Sequence, residues 1–193
     1  MEVIRLVRPG KEHQAMVTDY ISEHALNLEY DIHGGALVEK LDYDVWLKQL
    51  ADNSDKSTVN KDWVVSSTFL GIRESDNRMV GIIDIRHELN DFLREYGGHI
   101  GLGIRPSERR KSYAAQMLEK ALTYCKELGL EKVMTACYKD NVASRNTILK
   151  NGGVLEKEFN FSEAMPEVKE QVSEHSKEDD AYKKIVQVFW VTL

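Results

Sequence analysis

The sequence predicts a mixed α/β protein, in which strands and helices alternate along 193 residues. Two observations support this class: short apolar runs of strand length are bounded by turn-forming residues, and longer segments between them carry apolar residues at helical spacing. The length also fits a single domain, because a chain of this size can form one domain with a sizeable core. The predicted order is a strand, two helices, three strands, a helix, a strand, a helix and two strands.

The N-terminal region is predicted to contain the first strand and two helices. An apolar run over residues 3–7 ends at Arg8-Pro9-Gly10, which is typical of a strand followed by a turn. Apolar residues recur at roughly helical spacing over 11–30 and again over 38–50. The polar stretch 51–61 is interpreted as a loop leading to the next strand.

A hairpin is the clearest feature of the middle of the chain. Two strands, 62–72 and 78–87, flank the turn-rich sequence Glu74-Ser75-Asp76-Asn77. A short helix or turn over 89–96 and a glycine-rich strand over 97–104 are expected to follow.

The strongest helical pattern of the chain covers residues 112–128. Apolar side chains there share one face, and Gly129 follows as a C-cap. The nearly continuous apolar run 132–138 predicts a strand covered on both faces. The remaining predictions are a short helix over 141–150, a strand over 154–161, an acidic insertion or mobile surface segment over 164–180, and a closing strand over 183–193.

Composition excludes several classes of protein. The formal net charge of −6 argues against a general nucleic-acid binder, which needs a broad basic face. No apolar run approaches the ~20 residues that span a membrane, and the N-terminus lacks the apolar stretch of a signal peptide. Cys125 and Cys137 match no metal motif and are interpreted as reduced thiols. A cytoplasmic protein without a metal is therefore expected.

The segment most suggestive of chemistry lies between residues 97 and 115. Four glycines fall in or beside one predicted strand, and glycine in a strand marks a bulge or the close approach of a ligand or another backbone. The basic loop 105–111 follows and leads into the predicted helix at Ser112. Free N–H groups and the dipole at a helix start favour an anion. A solvated basic turn capped by Ser112 is the alternative, but glycines, loop and helix together favour a phosphate site.

Two motifs in this half of the chain resemble the signatures of the GNAT superfamily of acyl-CoA N-acyltransferases. Arg109-Arg110-Lys111-Ser112-Tyr113-Ala114 is similar to the family pattern Arg/Gln-x-x-Gly-x-Gly/Ala. About thirty residues later, Asn141-Val142-Ala143-Ser144, with Lys150-Asn151-Gly152-Gly153, resembles the family's Asn-x-x-Ala/Ser helix that ends in glycine. Together with Gly97-Gly98-His99-Ile100-Gly101, these strings are similar to a bacterial subgroup of predicted acetyltransferases. The resemblance is close over residues 80–155 and looser elsewhere.

The resemblance implies a GNAT-like fold over residues 1–193: a central twisted, mostly antiparallel sheet of about six or seven strands, with helices on both faces. It also implies direct transfer of an acetyl group from acetyl-CoA to a primary amine of a small molecule or peptide. In such a protein one strand pairs with the pantetheine arm and the basic loop binds the pyrophosphate. The implied cofactor-binding residues are Leu102, Gly103, Ile104, Arg109, Arg110, Lys111, Ser112, Tyr113, Ala114, Ala115, Asn141 and Ser144.

The chain departs from the family pattern at two positions. Ser112 replaces a glycine, and Ile148 stands where the family often has a tyrosine that protonates the leaving thiolate. His99 and Tyr138 are the candidate catalytic residues. The alternative for His99 is a structural or exposed histidine, and the alternative for Tyr138 is packing. His87 and Glu88 are further candidates for a base.

These departures leave alternatives to an enzyme open. A non-catalytic CoA-binding or sensing module is one, and an interaction protein with a vestigial site is another. Acidic residues between positions 11 and 50 could favour a cationic acceptor or could form a solvated face: they are Glu23, Glu29, Asp31, Glu39, Asp42 and Asp44. A homodimer could form if the closing strand paired with its copy.

Overall fold

The computed structural model describes residues 2–160 and 184–193. The predicted acidic segment 164–180 lies outside the described residues. The described chain has the predicted class and all seven predicted strands, arranged in two antiparallel sheets rather than one. The strands are β1 (Ile4–Val7), β2 (Ser66–Arg73), β3 (Met79–Arg86), β4 (Ile100–Ile104), β5 (Lys132–Tyr138), β6 (Val154–Asn160) and β7 (Ile185–Thr192).

The first sheet has the order β1-β2-β3-β4 and the second has the order β5-β7-β6. Strand β7 therefore bonds to neighbours on both of its edges. A homodimer formed by pairing of the closing strand is excluded by this position, because both edges are already occupied within the chain. Within residues 2–160 and 184–193, the outer edge of β6 has no strand partner.

Four α-helices are described, and two of the predicted helices begin or end elsewhere. They are α1 (Gln14–Leu26), α2 (Tyr43–Asn53), α3 (Tyr113–Glu127) and α4 (Val142–Lys150). Helix α1 ends before residue 30 because Leu28 adopts φ of 60°. The predicted start of α2 at residue 38 is wrong by five residues, since Asp42 is the N-cap residue and has a non-helical ψ of 145°. Similarly, β2 begins at Ser66 rather than at residue 62.

Helices cover the first sheet on both faces. Ile83 and Ile85 of β3 belong to a core cluster with side chains of α3, and Ile148 of α4 joins that cluster. Met79 and Ile82, on the opposite face, belong to a second cluster with side chains of α1 and α2. Side chains of β3 therefore contact helices on both faces, although the register shift between β2 and β3 interrupts the strict alternation before Ile82.

Strands β4 and β5 meet at only one point. The His99 amide donates to the Met134 carbonyl at 2.8 Å, and among the described residues no other backbone hydrogen bond joins the two strands. Helix α3 connects them, which is the crossover that parallel neighbours require. We call the unpaired interval between residues 102–104 and 136–138 the β4–β5 gap.

Candidate functional site

The glycines of β4 allow a loop to lie directly on the strand. A Cβ atom added to Gly34 would lie 2.3 Å from the carbonyl oxygen of Gly101, and one added to Gly103 would lie 2.6 Å from that of His33. No side chain fits between the two backbones. The loop is held from α2, where Trp46 Nε1 donates to the Gly35 carbonyl at 2.9 Å. The glycine pattern thus reports the close approach of another backbone.

His99 lies where β4 and β5 meet. Its ring is buried, and Nδ1 accepts a hydrogen bond of 2.9 Å from the Met134 amide. Burial lowers the pKa of His99 to about 4, so the ring is neutral at pH 7. A neutral ring whose Nδ1 accepts carries its proton on Nε2. In this arrangement His99 joins the two strands and has no free lone pair for a substrate proton.

The loop between β4 and α3 turns through two left-handed residues. Arg110 has φ of 62° and Ser112 has φ of 66°, and α3 begins at Tyr113. Turns of this kind direct successive N–H groups into a concavity that binds anions. The Ser112 side chain makes no capping hydrogen bond, so it does not occupy the N–H groups of the first turn. We call residues 109–115 the cradle.

The three basic side chains of the cradle differ in their partners. Arg109 forms a two-pronged pair with Glu29, at 2.7 Å to Oε1 and 2.6 Å to Oε2. Lys111 Nζ lies 3.0 Å from Glu108 Oε2. Arg110 is exposed, and within residues 2–160 and 184–193 no acidic side chain pairs with it. Of the three cations, Arg110 is therefore the one whose charge is available to a phosphate.

Arg105 precedes the cradle, and its environment was not predicted from the sequence. Its side chain is 1% exposed, and Nε donates to the Met79 carbonyl at 2.7 Å. A terminal nitrogen of Arg105 lies 2.8 Å from Glu23 Oε2, while Glu23 Oε1 accepts from the Ser107 amide at 2.8 Å. Although burial opposes ionisation, the hydrogen bonds from Ser107 and Arg105 lower the pKa of Glu23 to about 2. Glu23 thus attaches the loop to helix α1.

The second signature forms the start of α4. Asn141 is the N-cap residue, and its Oδ1 accepts from the Ser144 amide at 3.1 Å. The Asn141 amide donates to the Tyr138 carbonyl at 3.0 Å, at the end of β5, which brings this helix start beside the β4–β5 gap. Ile148 is buried, and a Cβ atom at Gly153 would lie 2.4 Å from its Cγ2. At the position where the family often has a tyrosine, the chain therefore has a packing residue.

The remaining candidates lie at different places. Tyr138 ends β5 and is partly exposed, with Lys184 Nζ 5.0 Å from the centre of its ring. His87 Nε2 lies 2.9 Å from Ser67 Oγ and its ring contacts Tyr124 of α3, so it faces the α3 side. Glu88 is exposed. Of these, only Tyr138 adjoins the gap.

A glycine-rich strand beside an unpaired gap, followed by an anion cradle at a helix start, is an arrangement suited to a thioester cofactor with phosphates. Residues 5–154 match the family described as acetyltransferase (GNAT) domain. The chain belongs to the GNAT family of acetyltransferases. This confirms the resemblance and the predicted class of enzyme.

Solved structures share the fold at low sequence identity. The ribosomal-protein alpha-N-acetyltransferase RimL, solved with coenzyme A, is 13% identical with a TM-score of 0.65, covering 98% of this chain and 94% of that one. The microcin self-immunity acetyltransferase MccE, solved with acetyl-CoA and AMP, is 13% identical with a TM-score of 0.64, covering 98% and 92%. A variant of spermidine N-acetyltransferase SpeG from Vibrio cholerae is 14% identical with a TM-score of 0.59, covering 98% and 94%.

A search of curated proteins found no match. None of the helices in residues 2–160 and 184–193 is long and apolar enough to cross a membrane. The same part of the chain holds no group of three or more His, Cys, Asp or Glu side chains placed to bind a metal ion.

Proposed function

We propose that the chain transfers the acetyl group of acetyl-CoA directly to a primary amine, with the thioester held in the β4–β5 gap and the pyrophosphate held in the cradle. The observation that carries this proposal is the pair of left-handed residues, Arg110 and Ser112, at the start of α3 and directly after β4. Only backbone N–H groups and one free cation are needed there to hold a diphosphate.

The outer edge of β4 supplies the groups that orient the thioester. One edge of the strand pairs with β3, where Leu102 stands opposite Ile83. The other edge faces the gap, so its N–H and C=O groups can pair with the pantetheine amides as an added strand would. An N–H from residues 102–104 near the thioester carbonyl would stabilise the oxyanion that forms when the amine attacks. Asn141 and Ser144, across the gap, would contact the same arm.

Proton transfer requires an acceptor for the amine proton and a donor for the departing thiolate. Ile148 has no proton to give, and Tyr138 is the candidate acid because it ends β5 beside the gap. We assign His99 the role of a positioning residue that closes the narrow end of the gap through Met134. The acceptor amine loses its proton to solvent in this scheme, and proximity supplies much of the rate.

The acceptor is a small-molecule or peptide amine. Three of the acidic residues that could attract a cationic acceptor are already paired: Glu23 with Arg105, Glu29 with Arg109, and Asp31 with Lys40. A cationic acceptor therefore has fewer free carboxylates in this region than the sequence suggests. We place the enzyme in the cytoplasm, where Cys125 and Cys137 remain free thiols.

The test combines calorimetry with a thiol-release assay on a panel of primary amines, including polyamines and peptides with free N-termini. Titration with CoA should show binding, and at least one amine should release free thiol from acetyl-CoA. CoA binding without thiol release from any amine would instead favour the sensing module, and absence of CoA binding would contradict both. Tyr138→Phe should lower kcat while leaving CoA affinity unchanged.

A further inference from the structure

Glu29 lies just beyond helix α1, yet it contacts the first residue of the cradle from 80 positions away along the chain. Its two oxygens each accept from a different terminal nitrogen of Arg109, at 2.7 and 2.6 Å. Oε2 also lies 2.8 Å from Nδ1 of His24. We call these three residues the α1 clamp.

The clamp is anchored from the protein interior. The His24 ring is 3% exposed, and burial lowers its pKa, so the ring is neutral and donates from Nδ1 to Glu29. The hydrogen bonds from Arg109 lower the pKa of Glu29 and keep its carboxylate charged at neutral pH. The third nitrogen of Arg109, Nε, donates to the Ile104 carbonyl at 3.2 Å, at the end of β4. All three nitrogens of the Arg109 guanidinium are therefore engaged by the protein.

The cradle next to the clamp adopts a backbone that its residues do not favour. Left-handed φ at Arg110 and Ser112 is unfavourable for residues with a β-carbon. Such a turn persists only when its flanks are held. Helix α3 holds the C-terminal flank, where the Gln116 amide donates to the Ser112 carbonyl at 3.2 Å. The α1 clamp holds the N-terminal flank.

We propose that Glu29 is a positioning residue for the cofactor: through Arg109 it keeps the cradle N–H groups arranged for the pyrophosphate before CoA arrives. This inference rests on the proposed function of the cradle. Arg109 stands at the start of the family signature. In this chain it then connects the loop to the end of α1 through its pair with Glu29. The backbone N–H groups of the cradle and the Arg110 side chain then bind the phosphates.

An opposite outcome follows if Glu29 merely masks the charge of Arg109. Removing the carboxylate would then free a cation beside the phosphates, and CoA would bind more tightly. The sign of the change in CoA affinity therefore separates positioning from masking.

Glu29→Gln is the main test, with CoA affinity measured by calorimetry. We expect binding about fivefold to twentyfold weaker, which lies within the range for coupled neighbours. Arg109→Gln should weaken binding comparably, and the double variant should be no worse than the weaker-binding single variant. The Arg109 side chain is 45% exposed, so its removal probes the same contact with little risk to folding. Asp31→Asn is the matched control, because Asp31 pairs with exposed Lys40 away from the cradle, and it should bind CoA as the unmodified chain does.

A truncated donor separates the cradle from general damage. N-acetyl-S-acetylcysteamine carries the thioester but no phosphates, so Glu29→Gln should raise KM for acetyl-CoA and leave kcat/KM for this donor unchanged. Equal or tighter CoA binding by Glu29→Gln would overturn the inference, as would an equal loss with both donors. If the unmodified chain bound no CoA, the proposed function would fail, and the inference with it; if it bound CoA and the variants matched it, only the inference would fail.

Discussion

Ser112 offers a direct test of how the cradle is built. It occupies a glycine position of the family pattern, and in the structure it has φ of 66° and ψ of 10°. The side chain makes no capping hydrogen bond, so replacing it removes no cap. Ser112→Gly should therefore relieve backbone strain without removing a capping hydrogen bond.

The size of the effect follows from two opposing contributions to the free energy of unfolding. Left-handed backbone costs a residue with a β-carbon about 1–2 kcal/mol. Glycine loses more conformational entropy on folding, at a cost of about 0.5–1 kcal/mol. The net gain is about 0.5–1 kcal/mol, which for a chain of this length corresponds to a rise in Tm of about 1–4 °C.

The assay is thermal unfolding with and without CoA, combined with calorimetric measurement of the CoA Kd. Ser112→Gly should raise Tm and give an equal or lower Kd, because backbone strain in the cradle is relieved and no capping hydrogen bond is lost. Ala36→Gly is the matched control: Ala36 has φ of 50° in a loop away from the cradle. It should raise Tm by a similar amount and leave the Kd unchanged.

The opposite result would refute the reasoning. If Ser112→Gly bound CoA clearly more weakly while Tm rose, the Ser112 hydroxyl would be a phosphate ligand. If Tm fell in both variants, left-handed strain would not outweigh the entropy cost of glycine at either position.

Two further predictions concern the cradle and the two cysteines. Arg110→Gln should weaken CoA binding about fivefold at low salt, which corresponds to the ~1 kcal/mol of an exposed charge pair. Lys111→Gln should have a smaller effect, because Lys111 already pairs with Glu108. Equal losses of CoA affinity in the two variants, measured by calorimetry, would contradict this prediction. Burial raises the pKa of both thiols, that of Cys125 to about 11, so alkylation by iodoacetamide should accelerate with rising pH. Partly exposed Cys137 should react first, and CoA should slow its reaction alone, as followed by mass spectrometry.

The sequence predicted most of the fold because the apolar residues of most strands and helices recur at the spacing of those elements. Strands β3 and β5 and helix α3 lie close to their predicted positions, since their apolar residues face one core or two. The start of α2 could not be predicted, because Val38 and Leu41 continue the apolar spacing of the helix although they pack on the core from the turn before it. The closed end of the gap depends on a side chain to backbone hydrogen bond of His99, which no local pattern encodes.

The site was predicted by position but not by role. The basic loop was correctly located at the start of α3, yet its charges were assigned without their partners. Glu23 and Glu29 lie about 80 positions from the arginines they hold, and nothing in the local sequence pairs them. Two acidic residues six apart near the end of α1, facing a loop with arginines four apart, are the only signal that could have suggested it.

The central place of β7 in its sheet determines when the enzyme can become competent during synthesis. Lys132 pairs with Thr192, 60 positions further along, and Val154 pairs with Trp190. A nascent chain that has emerged through β6 contains both signature motifs, but β5 and β6 still lack the strand that bonds them together. Pairing between strands that are far apart in the sequence is also slow during folding. On the ribosome, the wall of the gap formed by β5 is therefore completed last, after every residue proposed to contact the cofactor has been made.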